Sequence, residues 1–290
     1  MTPAVLALVL TAAVLHATWN LLAKRAQGAD SVAFVWLTTA LSTAIYVPVL
    51  AIWLIAMPLR HPLTAIDLAF IAGTAVIHSV YYLLLQRGYR VGDLSLVYPL
   101  ARGTGPLLAS IAAVLFLGER PGVFGAIGIA AIVAGIFVAA GARLHVARAR
   151  ISAGYGLATG VTIAAYTLWD KHAVSALAIS PIVYEVGHFC VRTALMAPLV
   201  WRGERCRALG PTLRAYRTEL LGVAVLSPLG YILVLFALAV APVTLVAPAR
   251  EVSIVFGALL GARLFAEGDA RRRVVGAALI FAGIVALARS

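Results

Sequence analysis

Arg102 and Arg250 each stand shortly after a proline inside an apolar stretch, in YPLAR and APAR, and Glu251 follows directly on the second. A guanidinium group offers a planar fork of donors that grips a carboxylate or phosphoryl oxygen pair in bidentate fashion. Proline disturbs helical hydrogen bonding. Two arginines beside such breaks therefore have the chemistry of an anion clamp. The competing reading pairs them with internal acids. Glu251 is the nearest in sequence, although adjacent residues do not face each other on a helix.

A second constellation lies in VYEVGHFCVR, where Glu185, His188 and Arg192 punctuate a run that stays apolar from about Ala176 to Trp201. Their spacing puts all three on one helical face. A charge at mid-membrane costs about 2.5–3.5 kcal/mol, against roughly 0.3–0.6 kcal/mol returned by each Val, Leu, Ile or Phe. These groups must therefore face protein or water. Either Glu185 and Arg192 roughly cancel while His188 exchanges protons near neutral pH, or the three form a buried ion-pair network with Arg192 snorkelling toward the helix end.

Weaker candidates surround these. His78, Tyr81, Tyr82 and Gln86 in one run, and Tyr231 in another, offer hydrogen bonds and an aromatic wall, or equally packing and interface anchors. Trp19 and Asn20, with His16 on the same face as Asn20, match Trp169 and Asp170 near the end of a later run, where solvated or capping roles compete with ligand contact. Glu119 and Glu267 each precede a run, and a carboxylate there favours the positive end of a helix dipole, a structural role.

No catalytic residue is assigned, because HExxH, Walker and Gly-rich phosphate patterns and a convincing Ser/His/Asp grouping are missing. Cys190 and Cys206 lack metal-ligand spacing and are expected to be free thiols. No metal or cofactor is expected.

The elements that must hold these groups follow from composition. Of 290 residues, 63% are apolar and 12% charged, with a mean hydropathy of +1.01. A soluble domain is roughly a quarter charged. The apolar residues come in blocks of about twenty, the length that crosses a hydrocarbon core. Ten spans are predicted, near 2–22, 32–57, 65–86, 94–117, 122–141, 152–170, 177–201, 219–240, 243–265 and 273–288. Runs this long without strict alternation are helices rather than barrel strands, giving an all-α integral membrane protein. The first run lacks a basic flank and reads as a retained span rather than a cleaved signal.

The net charge of +12 is carried by arginines scattered between apolar blocks, a distribution that fits loops facing anionic membrane lipid and not a nucleic-acid partner. Basic residues concentrate after the odd-numbered spans, which predicts that those loops are cytoplasmic and both termini are not.

The halves resemble each other. The segment from Pro99 to Ile136 lies without gaps over that from Ala247 to Ile284, setting Arg102 on Arg250, Glu119 on Glu267, Gly128 on Gly276 and Gly135 on Gly283. HATWN, ending at Asn20, echoes YTLWD, ending at Asp170. Five spans per half force the second copy into the membrane upside down, with the division placed at 1–145 and 146–290. Inverted repeats give two conformations of similar energy and a site near the midplane at their interface.

The repeat ending, seen as LGERPGVFGAIGIAAIVAGI and FAEGDARRRVVGAALIFAGI, and the opening HATWNLLAKRA resemble the EamA-type branch of the drug/metabolite transporter superfamily over the whole chain. The resemblance implies ten helices around a central cavity lined by spans one, three, four, six, eight and nine, with spans five and ten peripheral. It leaves the substrate open. The expected function is a secondary transporter of the bacterial inner membrane moving a small anionic or zwitterionic metabolite, such as an amino acid or organic acid. On this reading Trp19, Asn20, His78, Tyr82, Arg102, Trp169, Tyr231, Arg250 and Glu251 contact substrate. Proton coupling through Glu185 and His188 stays open, as does assembly into a homodimer. A membrane-embedded enzyme acting on lipid or peptide, and a passive channel, are the alternatives.

Overall fold

The computed structural model describes residues 2–26, 28–59, 62–91, 94–140, 146–253 and 270–289, and every regular element among them is helical. The first half holds α1 (Pro3–Arg25), α2 (Ser31–Ala56), α3 (Ala65–Val91), α4 (Leu94–Phe116) and α5 (Gly122–Ala140). The second holds α6 (Val146–Ser175), α7 (Pro181–Val200), α8 (Gly203–Ala215), α9 (Arg217–Val240), α10 (Val243–Ala249), a 3-10 turn (Arg250–Val252) and α11 (Ala270–Ala288).

Pro3–Ala23, Ser31–Ala56, Ala65–Leu85 and Arg217–Val240 are long and apolar enough to cross a membrane. Leu100–Phe116, Gly122–Val138 and Val274–Ala288 are shorter apolar helical stretches. Helix starts carry local signals. The Asp30 carboxylate accepts the Ala33 N–H at 2.9 Å before α2. Thr64 and Asp67 bond reciprocally at the head of α3, as in a capping box. Pro181 opens α7, where its missing N–H costs nothing.

Three sequence expectations need amendment. The Arg-rich segment after α7 is not an irregular loop but the helix α8, with Glu204 in its first turn and Arg214 in its last, as the helix dipole favours. The ninth predicted span, 243–265, is described only to residue 253, and its described part is broken: α10 gives way to a 3-10 turn at Arg250, two residues after Pro248. The expected break in the other half does not occur, since α4 runs unbroken from Leu94 through Arg102. Glu267 and the side chain of Gln86 lie outside the described residues.

The outer surface differs from that of a soluble protein in carrying many large apolar side chains. Ile55 is 83% exposed and Phe116 81%, whereas Arg102, Glu185, Arg192, Arg250 and Glu251 are buried. Large apolar side chains stand on the outside of the helices, while these few charges are held inside an otherwise apolar core, where they avoid lipid.

Helices pack across the halves. α1 packs on α9 and α3 on α6, pairs that interchange when the halves are exchanged, while α2 on α7 and α5 on α11 map onto themselves. At α5–α11 a Cβ on Gly128 would lie 2.8 Å from the Gly283 carbonyl oxygen, and one on Gly135 would lie 2.7 Å from that of Gly276. The earlier glycine of each helix thus meets the later glycine of the other. That reciprocity requires the two equivalent helices to run antiparallel. Only a residue without a Cβ permits so close a backbone approach.

Candidate functional site

The site grows from the break after α10. Arg250 and Glu251 fall in the 3-10 turn, with Ser253 just beyond, and all three are buried. They face α4 of the other half. Arg102 Nε lies 2.8 Å from Glu251 Oε2, and Arg102 Nη2 donates to Ser253 Oγ at 3.0 Å. Arg250 Nε is 3.6 Å from Glu251 Oε1. One carboxylate therefore spans two guanidinium groups, one from each half. Although Arg250 and Glu251 are adjacent in sequence, their charged ends come within 3.6 Å of each other.

An aromatic layer continues from this trio. Arg250 Nη2 donates to the Tyr166 hydroxyl at 3.5 Å, and its guanidinium stands 5.9 Å from the centre of that ring. Tyr166 stacks on His78 at 4.2 Å and meets Tyr81 and Tyr231 edge-on. His78 Nδ1 is held by Thr74, 3.0 Å from its hydroxyl oxygen and 3.1 Å from its carbonyl. His16 of α1 lies within electrostatic reach of both arginines.

On the far side of Tyr231 is Asp170. It is completely buried, and its carboxylate accepts hydroxyl hydrogen bonds from Tyr231 and, at 2.7 Å, from Tyr184. The solvated or capping role left open by the sequence is therefore replaced by a buried one. α6 extends to Ser175, and Asp170 turns inward between α7 and α9.

Glu185, His188 and Arg192 share the inner face of α7, as their spacing requires. Glu185 Oε2 is 3.3 Å from His188 Nδ1. The His188 ring lies 4.7 Å from that of His78, which joins this cluster to the aromatic layer. Arg192 does not snorkel. It is 3% exposed, with its guanidinium 4.0 Å over the Tyr82 ring, where a cation–π contact replaces part of the lost hydration.

Other sequence candidates fall outside this core. Trp169 Nε1 donates to the Phe70 carbonyl at 2.9 Å, and its ring stacks on Phe70 at 4.3 Å and presses on Gly73. Trp19 packs with Phe34, Leu37, Leu220 and Val223. Asn20 donates to the His16 carbonyl one turn back at 2.7 Å. Glu119 does meet a positive helix end, but of α10 in the other half rather than of α5, which follows it. It accepts the Val243 and Thr244 N–H groups at 2.7 and 2.8 Å.

Tyr166 and Tyr184 were missed by sequence reasoning. The signal for Tyr166 was present: in YTLWD it stands four residues before Asp170, on the same helical face. Among the described residues no group of His, Cys, Asp and Glu is arranged to hold a metal ion.

Helices that pair antiparallel through equivalent glycines, with charges sealed between them and apolar side chains outside, define a membrane protein built from two inverted copies. The profile of the EamA-like transporter family matches the chain twice, over residues 3–141 and 150–289, and the chain belongs to that family. Its members are multi-pass membrane transporters. No curated protein matches the chain significantly. A solved structure described only as "Crystal structure of protein" covers 98% of this chain and 98% of its own, with a TM-score of 0.74 at 15% identity, a likeness of fold alone.

Proposed function

We propose that the chain is a secondary carrier for a small anionic or zwitterionic metabolite, working by alternating access, with its site between Arg102 of one half and Arg250 of the other. The single observation that carries this reading is the sharing of Glu251 by both guanidinium groups. The trio sums to one net positive charge. A substrate carboxylate or phosphoryl group would displace or join Glu251 in the forks of the arginines, as guanidinium geometry favours. His78, Tyr82, Tyr166 and Tyr231 would form the wall around it. Trp19, Asn20 and Trp169 would support that wall through helix packing rather than touch the substrate.

The remaining expectations belong to this proposal: ten spans, halves meeting at 145/146, residence in a bacterial inner membrane, and both termini on the non-cytoplasmic side. A second reading assigns proton exchange to Glu185 and His188, favoured by their 3.3 Å contact inside the sealed core.

The test is a thermal-shift screen of purified protein against amino acids, organic acids and phosphorylated metabolites, followed by uptake into proteoliposomes. A ligand that binds only the folded state raises its apparent stability. Stabilisation by an acid or zwitterion, lost in Arg102→Ala and Arg250→Ala, is the expected result. Unchanged binding by both variants would refute the anion clamp.

A further inference from the structure

Apart from Asp67, which bonds Thr64 at the head of α3, the buried core holds three arginines, Arg102, Arg192 and Arg250, against three carboxylates, Asp170, Glu185 and Glu251. Their environments differ. Glu251 lies against Arg102 and Arg250. Glu185 lies against His188 and within electrostatic reach of Arg192. Asp170 has neither arginine nor lysine in ion-pair contact among the described residues, only the hydroxyls of Tyr184, Tyr231 and Thr74.

The ionisable groups facing it are Tyr231 from α9, Tyr184 and Glu185 from α7, and His78 from α3, reached through Thr74. Its neighbour Lys171 turns away, donating to the Leu238 and Ala241 carbonyls at 2.7 and 3.1 Å. Arg250 reaches α6 only at Tyr166, one turn distant.

An ionised carboxylate taken out of water costs several kcal/mol unless it is paired. Hydroxyl donors offset part of this, and the closest negative charge, Glu185, adds to it. With both oxygens already taken by hydroxyls and helices on three sides, the cation that fits without rearrangement is the smallest. We propose that Asp170 is a proton-binding site, and that its proton enters the core together with an anion bound at Arg102 and Arg250.

The second part follows from charge balance. With Asp170 ionised the six residues sum to zero, and with Asp170 protonated they sum to one positive charge, which one monoanion restores to zero. In a low-dielectric core such a balance couples the two binding events, and the coupling is reciprocal. This second part rests on the anion reading above, whereas the first does not.

Infrared spectroscopy of the purified full-length protein, titrated over pH in light and heavy water, reads the carboxylic acid C=O stretch directly. We expect a pH-dependent band in the wild type and in Glu185→Gln that is missing from Asp170→Asn. The same band in Asp170→Asn would overturn the site. Should that variant fold poorly by gel filtration, Tyr231→Phe keeps the carboxyl group and removes one donor, so the band should move to higher frequency; an unmoved band overturns the site equally.

Arg250→Gln removes a positive charge from the core, so Asp170 should bind its proton more tightly, by up to about tenfold, since the lost charge lies beyond direct contact. An unchanged titration in that variant would overturn the charge coupling. No transported substrate is needed in any arm, so a negative result leaves the carrier reading standing, and a failed uptake assay leaves the proton site standing.

Discussion

Arg102 Nε and Glu251 Oε2 meet at 2.8 Å although they belong to opposite halves, on α4 and on the 3-10 turn after α10. The contact ties the repeats together at their most charged point. It also fixes what each partner costs when removed, because both are almost wholly buried.

Arg102→Ala leaves Glu251 with Arg250 alone at 3.6 Å. Breaking a buried pair from one side costs about 3–5 kcal/mol. Unfolding in detergent should show a loss of that size, with membrane insertion retained. The double variant Arg102→Met, Glu251→Leu should recover a large part of it, and a double variant no better than the single would show that the charge pair is not the source.

At α5–α11 the inverted repeat can be tested by packing. Gly135→Ala places a methyl group 2.7 Å from a backbone oxygen, which cannot rotate aside. Overpacking of this kind costs about 1–3 kcal/mol. Gly154→Ala meets nothing within 4 Å and should be neutral or gain up to about 1 kcal/mol from helix propensity. Chemical denaturation of the two variants in parallel measures the difference.

Glu119→Ala uncaps α10, the helix that delivers Arg250. A cap is worth about 0.5–2 kcal/mol. The expected outcome is a stability loss in that range, together with increased hydrogen exchange at the Val243 and Thr244 amides. Protection unchanged at those two amides would show the cap to be dispensable.

Tyr166→Phe removes the hydroxyl that Arg250 reaches while keeping the stack on His78. Ligand affinity should fall by a factor of a few, as for one hydrogen bond of about 0.5–1.5 kcal/mol. Tyr166→Ala, which also removes the ring that stacks on His78, should lose more. Isothermal titration with the best ligand from the screen compares them.

The helices and the duplication were legible because hydrophobic run length and gapless self-similarity are local properties of the chain. Arg102 and Arg250 could be singled out for the same reason, since each repeats the other's position. Contacts between different helices were not legible. Asp170 near the end of an apolar run reads as solvated until α9 and α7 bring Tyr231 and Tyr184 to it. Glu119 reads as belonging to the helix that follows it until α10 arrives from the other half. Trp169 and Trp19 matched by motif, yet α3 and α2 claim them for packing. The helix α8 went unseen because its arginines and glycines read as loop composition, whereas in the fold it lies against α2.

The central claim, a site between the halves that opens to either face in turn, is tested most directly at Ser253, whose hydroxyl touches Arg102 at 3.0 Å and which is 3% exposed. In a background lacking Cys190 and Cys206, Ser253→Cys in oriented vesicles is challenged with a membrane-impermeant thiol reagent from one side and then from the other. Labelling from both faces is the expected result. Labelling from one face only, or from neither, would contradict alternating access.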